Sequence, residues 1–188
     1  MRRLLLATTS AALLLAAPLA RADEIGDAIS EAARAYRAGD AVATRTALEE
    51  AMQLLAQRAA AGMSAALPAP LPGWTAEAAE SNTAALGMFG GSQASRTYSN
   101  AQGQDVRIQV MADNPMIAQL AMVMSNPAMA GSMGRLIRVG SQRAIQTGSN
   151  EIQMLVDNRI LVVVDGDAPL EAKLAYARAI DVAKLSAR

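Results

Sequence analysis

A chain of 188 residues that balances 17 acids against 17 bases, with no histidine and no cysteine, is closed to much of enzyme chemistry. Imidazole is the commonest general base and transition-metal ligand; thiolate underlies disulfides, zinc–sulfur sites and covalent haem attachment. No Gly-x-Ser-x-Gly elbow, Ser-x-x-Lys pair or phosphate-cradling glycine loop stands in their place.

Arg2 and Arg3 precede the apolar run from Leu4 to Leu19, and Ala20-Arg21-Ala22 puts small residues where a signal peptidase reads. Residues 1–22 are therefore expected to be a secretory signal peptide cleaved after Ala22, placing the product in the periplasm or outside the cell. The apolar run is shorter than the roughly 20 residues of a spanning helix. No polar and aromatic neighbours of a folded-export signal follow the twin arginine, so export is expected unfolded, with no cofactor loaded beforehand. Taking Arg2, Arg3 and Arg21 from 17 bases leaves 14 against 17 acids, a net charge of −3 that disfavours nucleic acid as a partner.

From Asp23 to Ala66 the chain is alanine-rich with helical spacing. Ile25, Ile29, Ala32, Ala33 and Tyr36 form one stripe, Gly39-Asp40 breaks it, and Val42, Leu48, Met52 and Leu55 form a second. The pattern predicts a helix ending near Ala38 and another running to Ala61 with Gly62 closing it. Leu67 to Gly73, with alternate prolines, predicts an extended spacer, and Trp74 an anchor starting a new unit over residues 74–188.

Ser81 to Ser95 carries no charge and reads as a loop bearing apolar side chains, Leu86, Met88 and Phe89 among them. Ser95–Ser99 and Asp105–Met111 predict a hairpin, with Val106, Ile108 and Val110 on one face. Asn114-Pro115 caps a helix through Met124, stopping before Asn126-Pro127, where a short turn starts and ends at Gly131. Strands follow around 136–139, 144–146 and 151–156. Ile160 to Val164, five apolar residues of which four are β-branched, predicts a strand buried on both faces. Asp167 and Pro169 open a last helix with the stripe Leu170, Leu174, Ala177 and Ile180. The fold class is therefore α+β: an antiparallel sheet of six to seven strands with helices packed on it, preceded by an N-terminal helical hairpin.

This layout resembles the PsbP-like fold. It is also similar to a group of exported bacterial proteins of unassigned function that share Leu71-Pro72-Gly73-Trp74, an Asn114-Pro115-Met116 helix start and a terminal Ile180-Asp181…Leu185 helix. The resemblance implies a non-catalytic accessory or assembly role. The first hairpin, Ala-x-x-Ala-Tyr-x-x-Gly-Asp followed by Ala47-Leu48-x-x-Ala51, resembles one tetratricopeptide-type repeat. A single repeat cannot bury its own face, so a helix pair docked on the sheet or on another subunit is the simpler reading.

Asp165-Gly166-Asp167 lacks the next oxygen ligand of a calcium loop, because Pro169 stands there, and reads as a turn and helix cap. Met111, Met116, Met122, Met124, Met129 and Met133 crowd one region. Thioethers suit Cu(I), but Met122 and Met124 point apart on a helix, and Met129 and Met133 share a face only if their segment is helical, which Gly131 opposes. Between Asp113 and Arg135 no residue is charged. That segment and Ser81–Ser95 would line one adaptable apolar surface, contributed by Met88, Phe89, Met116, Leu120, Met124 and Met129, unless they pack on the sheet as core. Arg135, Arg138, Arg143 and Arg159 would make a mildly basic strand face. The expectation is a periplasmic, non-enzymatic accessory or binding protein that needs no cofactor. It would present that Met-rich surface to a protein partner or hydrophobic ligand, and the N-terminal helices would offer a route to self-association. The alternative is a thioether Cu(I) handler using Met129 and Met133; a Ser–Lys or paired-carboxylate enzyme is the third.

Overall fold

Residues 23–82, 91–112 and 114–186 are described by the computed structural model of the protein; the leader and the apolar loop residues Leu86, Met88 and Phe89 lie outside them. The described chain is α+β, as its strand and helix signals predict. Six helices accompany an antiparallel sheet of eight strands, one more than the six to seven read from the sequence.

Two helices come first, α1 (Glu24–Arg37) and α2 (Ala41–Ala66). Gly39 adopts φ +75°, the left-handed conformation that reverses the chain, and Asp40 caps α2 by accepting from the Ala43 amide at 2.9 Å. The helix does not stop at Gly62. A β-carbon there would meet nothing within 4 Å, and one glycine costs a helix only about 1 kcal/mol. It ends instead where Leu67 turns extended before Pro68.

The proline segment is strapped down rather than free. The Pro68 carbonyl accepts from the Tyr98 hydroxyl at 2.8 Å and from Arg96 at 3.3 Å, and the Leu71 amide donates to the Tyr176 hydroxyl at 3.2 Å. Trp74 packs edge-to-face on Tyr176, with ring centroids 5.4 Å apart, and Tyr176 lies against Tyr98 at 4.3 Å.

Strands β1 (Trp74–Ala76) and β2 (Glu80–Asn82) both pair along one side of β3 (Ser92–Asn100), which hairpins into β4 (Asp105–Ala112). Asn100 closes that hairpin by accepting from the amides of Gln102 and Gln104. The chain then crosses one face of the sheet as α3 (Pro115–Ser125) and α4 (Pro127–Met133) before entering β5 (Arg135–Val139) at the far edge. It returns through β6 (Gln142–Gln146), β7 (Ile152–Val156) and β8 (Ile160–Asp165), giving the order β1-β3-β4-β8-β7-β6-β5. The last helical segment is two helices, α5 (Leu170–Ala179) and α6 (Val182–Ser186), broken at Ile180, whose extended backbone ends the turn.

The sheet has two unequal covers. Val106, Ile108, Val110, Ile152, Met154 and Val162 face α2, α5 and α6 in the main core, joined by Met63 and Ala66 from the end of α2. On the opposite face Ile145 and Leu155 meet Ile117, Ala121, Met124 and Ala130 of α3 and α4. Strand β8 has side chains in both clusters, which its β-branched run anticipates. Its exit depends on Gly166: a β-carbon there would sit 2.3 Å from the Asp105 carbonyl oxygen, and φ is +112°. Asp167 caps no helix. Its carboxylate accepts from the Asp105 amide at 2.6 Å, pinning this turn to the start of β4, while Pro169 holds the N-cap position of α5.

Candidate functional site

Two Asn-Pro pairs build the surface that the charge-free segment forms. Asn114 accepts from the Met116 amide at 2.9 Å and Asn126 from the Ala128 amide at 3.1 Å. Each proline occupies a first-turn position, where a missing N–H costs nothing. Caps that need no charged side chain let α3 and α4 run back to back as an apolar pair.

The pair has an inner and an outer side. Met124, proposed for the binding surface, is 7 % exposed and packs on Ile117, Ala121, Ile145 and Leu155 as core. The reason is its phase: residues 117, 121 and 124 share the helix face turned to the sheet. Leu120 is half-buried at the edge of that cluster. Met116 and Met129 stand out at 65 % and 49 % exposure, and so does Met122 at 75 %. Met88 and Phe89 are outside the described residues.

Gly131 does not prevent helix formation: α4 passes through it and ends at Met133. Met129 and Met133 thus lie one turn apart on one side of a helix, both partly exposed. The expectation that Gly131 separates them is corrected by this helix.

The arginines have a definite place. Arg138 and Arg143 are directly opposite one another on β5 and β6. Arg143 alternates with Ile145, so both arginines project on the face that carries α3 and α4, and Arg143 lines a hollow of about 340 Å³ with Ala121, Met124, Leu155 and Asp157. Like charges opposed across a strand pair are unfavourable. The ion pairs between described residues lie elsewhere, at Glu31–Arg34, Arg45–Glu49 and Asp181–Lys184. From Asn114 to Asn150 the chain holds Arg135, Arg138 and Arg143 and no acid. Arg138 and Arg143 thus share the sheet face that α3 and α4 cover.

Groups for bond-making chemistry are sparse. Asp165, at the end of β8, has its carboxyl pKa raised by burial, with Glu151 and Asp105 adding to the effect and Arg107 and Lys173 opposing it. Lys173 is 3 % exposed on α5. A polar hollow of about 410 Å³ lies over the open half of the same sheet face, lined by Glu77, Glu80, Arg107 and Gln109. Among the described residues no group of three or more acids could hold a metal ion. No helix among them is long and apolar enough to cross a membrane.

A second apolar surface lies on the hairpin: Ile29, Tyr36, Val42, Leu48, Met52 and Leu55, the large residues of its two stripes, are all exposed, from 48 % at Leu48 to 78 % at Val42. The hairpin seam is instead built from Ala28, Ala32 and Ala35 beside Ala47 and Ala51. Small side chains let two helices approach closely, and the alanine spacing of three and four was the signal in the sequence. Compared with family models, with curated proteins and with solved structures, the chain finds no match in any of the three.

Proposed function

We propose that the protein is an exported, non-enzymatic accessory or binding protein that docks a protein partner or hydrophobic ligand on the outer side of α3 and α4. The observation that carries this reading is a helix pair with no charged residue between Asp113 and Arg135, whose Met116, Met122 and Met129 face outward. Thioether side chains are flexible and polarizable, so they mould to apolar partners of varied shape. A helix apolar on its outer as well as its inner side is explained by something that covers it. Arg138 and Arg143 beside it favour a partner with an acidic edge. Export follows from the leader at residues 1–22, and an accessory role is also what the PsbP-like resemblance implies.

Titration of the leader-free protein with a hydrophobic fluorescent dye tests this. Saturable binding is expected for the native sequence, weakened at least fivefold by Met122→Asp combined with Met129→Asp. Equal binding by the two proteins would remove α3 and α4 as the site.

A second reading rests on the helical geometry of α4. Met129 and Met133, one turn apart and partly exposed, could supply two thioethers to Cu(I). Anaerobic competition against a chelator decides it: binding tighter than micromolar that is lost in Met129→Ala supports the reading, and weaker binding ends it.

A further inference from the structure

We propose that the N-terminal helical hairpin is a homodimer interface, two hairpins packing face to face and antiparallel as a four-helix bundle.

The argument begins with what holds α1 in place. Its fully buried side chains are three alanines, and among the described residues α2 is its only substantial neighbour. A helix of 14 residues is marginal in isolation, and three methyl groups bury little apolar area. Its larger apolar residues, Ile29 and Tyr36, are 50 % and 77 % exposed. The folding energy available within one copy is therefore small, and it would grow if those side chains were covered.

Apart from Val42, the large exposed apolar residues of both helices lie on one side. At roughly 100° per residue, Ile25, Ile29, Ala33 and Tyr36 are rotated about 80° forward of the alanine seam of α1. Leu48, Met52 and Leu55 are rotated about 90° forward of the seam of α2. Because the helices are antiparallel, equal rotations bring both stripes to the same side of the pair. Few charges lie on it: Asp27, Glu31 and Arg34 fall on the far side of α1, and Arg45, three residues before Leu48 on the α2 stripe, is paired with Glu49 at 2.7 Å.

The stripe of α2 is also continuous with a buried one. Leu48, Met52, Leu55, Ala59, Met63 and Ala66 follow one another at steps of three and four. Met63 and Ala66 are 0 % and 1 % exposed in the main core, whereas Leu48, Met52 and Leu55 are about half exposed or more. One seam is thus filled by the sheet domain over its second half and by none of the described residues over its first half. Where the two halves meet, a groove of about 510 Å³ opens between α2 and α6, its floor formed by Leu55, Ala59, Met63 and Leu185 and its rim by Arg58 and Lys184, the latter paired with Asp181.

A second copy fits this seam in one orientation. The sheet domain lies on the same side as the stripe, so hairpins aligned tip to tip would drive two sheets into each other. Antiparallel alignment avoids the clash and brings the tip of one hairpin, with Tyr36, over the groove of the other. Five side chains at roughly 100 Å² each give ~500 Å² per copy, and the groove walls with Ile25 and Ala33 carry this toward the ~800 Å² per partner of a standard interface.

Sedimentation equilibrium on the leader-free protein tests the proposal, and the cysteine-free sequence allows an independent check. The native sequence is expected to be a dimer at micromolar concentration. Leu48→Glu with Met52→Glu should raise the dissociation constant at least 100-fold, while Met122→Asp leaves it unchanged. Leu48→Cys, midway between the hairpin tip at Gly39 and the groove at Ala59 and so near the two-fold axis, should form a disulfide-linked dimer on mild oxidation; Gln53→Cys, on another face of α2, should not. A monomer at 100 μM, a dimer indifferent to the two glutamates, or cross-linking through Gln53→Cys in preference to Leu48→Cys would each overturn it.

Discussion

At the scale of single residues, Tyr98 shows how the fold is tied. Its ring is fully buried, and its hydroxyl donates to the Pro68 carbonyl, so one side chain joins β3 to the strap between hairpin and sheet. Burial raises the phenol pKa to about 12, with Arg96 opposing the shift. In the unfolded chain this group ionises near pH 10. Below that pH the native and unfolded states both hold the proton, and the stability from the buried phenol is fully present. As pH rises from about 10 to about 12 the unfolded state sheds a proton that the native state keeps, so stability falls. Denaturant unfolding at pH 9 and pH 11 should therefore show a drop in the native protein that is smaller in Tyr98→Phe. At pH 7 the same variant should lose about 0.5–1.5 kcal/mol, the net worth of one hydrogen bond, because the Pro68 carbonyl keeps Arg96 at 3.3 Å. An identical pH response in both proteins would contradict the assignment.

At the scale of elements, strands and helices were not equally legible. Ile160–Val164 announced a central strand because β-branched residues buried on both faces leave no other simple reading, and β4 did so by alternation. The hairpin helices were located correctly near Gly39-Asp40, but the stripes did not say which faces of the two helices meet. The rule that large apolar side chains point inward fails where two helices meet on alanines, and Ile29, Tyr36, Leu48 and Met52 are outside. The same rule in α3 could not separate core from surface, since nearly every residue there is apolar. Only the sheet contact decides that Met124 is inner and Met122 outer. Truncation should reveal the difference: Met124→Ala should cost about 2–4 kcal/mol through the cavity it leaves, and Met122→Ala less than about 0.5 kcal/mol. Equal losses in urea unfolding would mean that the two sides of α3 are wrongly assigned.

At the scale of the whole molecule, the connection from β4 to β5 explains why an apolar helix pair lies where it does. The chain leaves the middle of the sheet, must reach the far edge, and does so across one face as α3 and α4 before β5 to β8 return to pair with β4. That crossing was not legible in advance, because a strand order depends on pairings far apart in the chain. Its consequence is a protein with two apolar faces on different elements: the hairpin face suited to a second copy, and the outer side of α3 and α4 suited to a different partner. The two differ physically: the hairpin stripe is long and joins a groove beside the sheet domain, whereas the other is a charge-free helix pair on the sheet face that carries Arg138 and Arg143. The most direct test places a photo-reactive amino acid at Met122, at Met129 or at Ala101 in the β3–β4 turn, irradiates cells making the protein, and weighs the purified product by intact-mass spectrometry. A discrete adduct, protein or small ligand, is expected at Met122 and Met129 and not at Ala101; no adduct at the two methionine positions, or the same adducts at all three, would contradict the account.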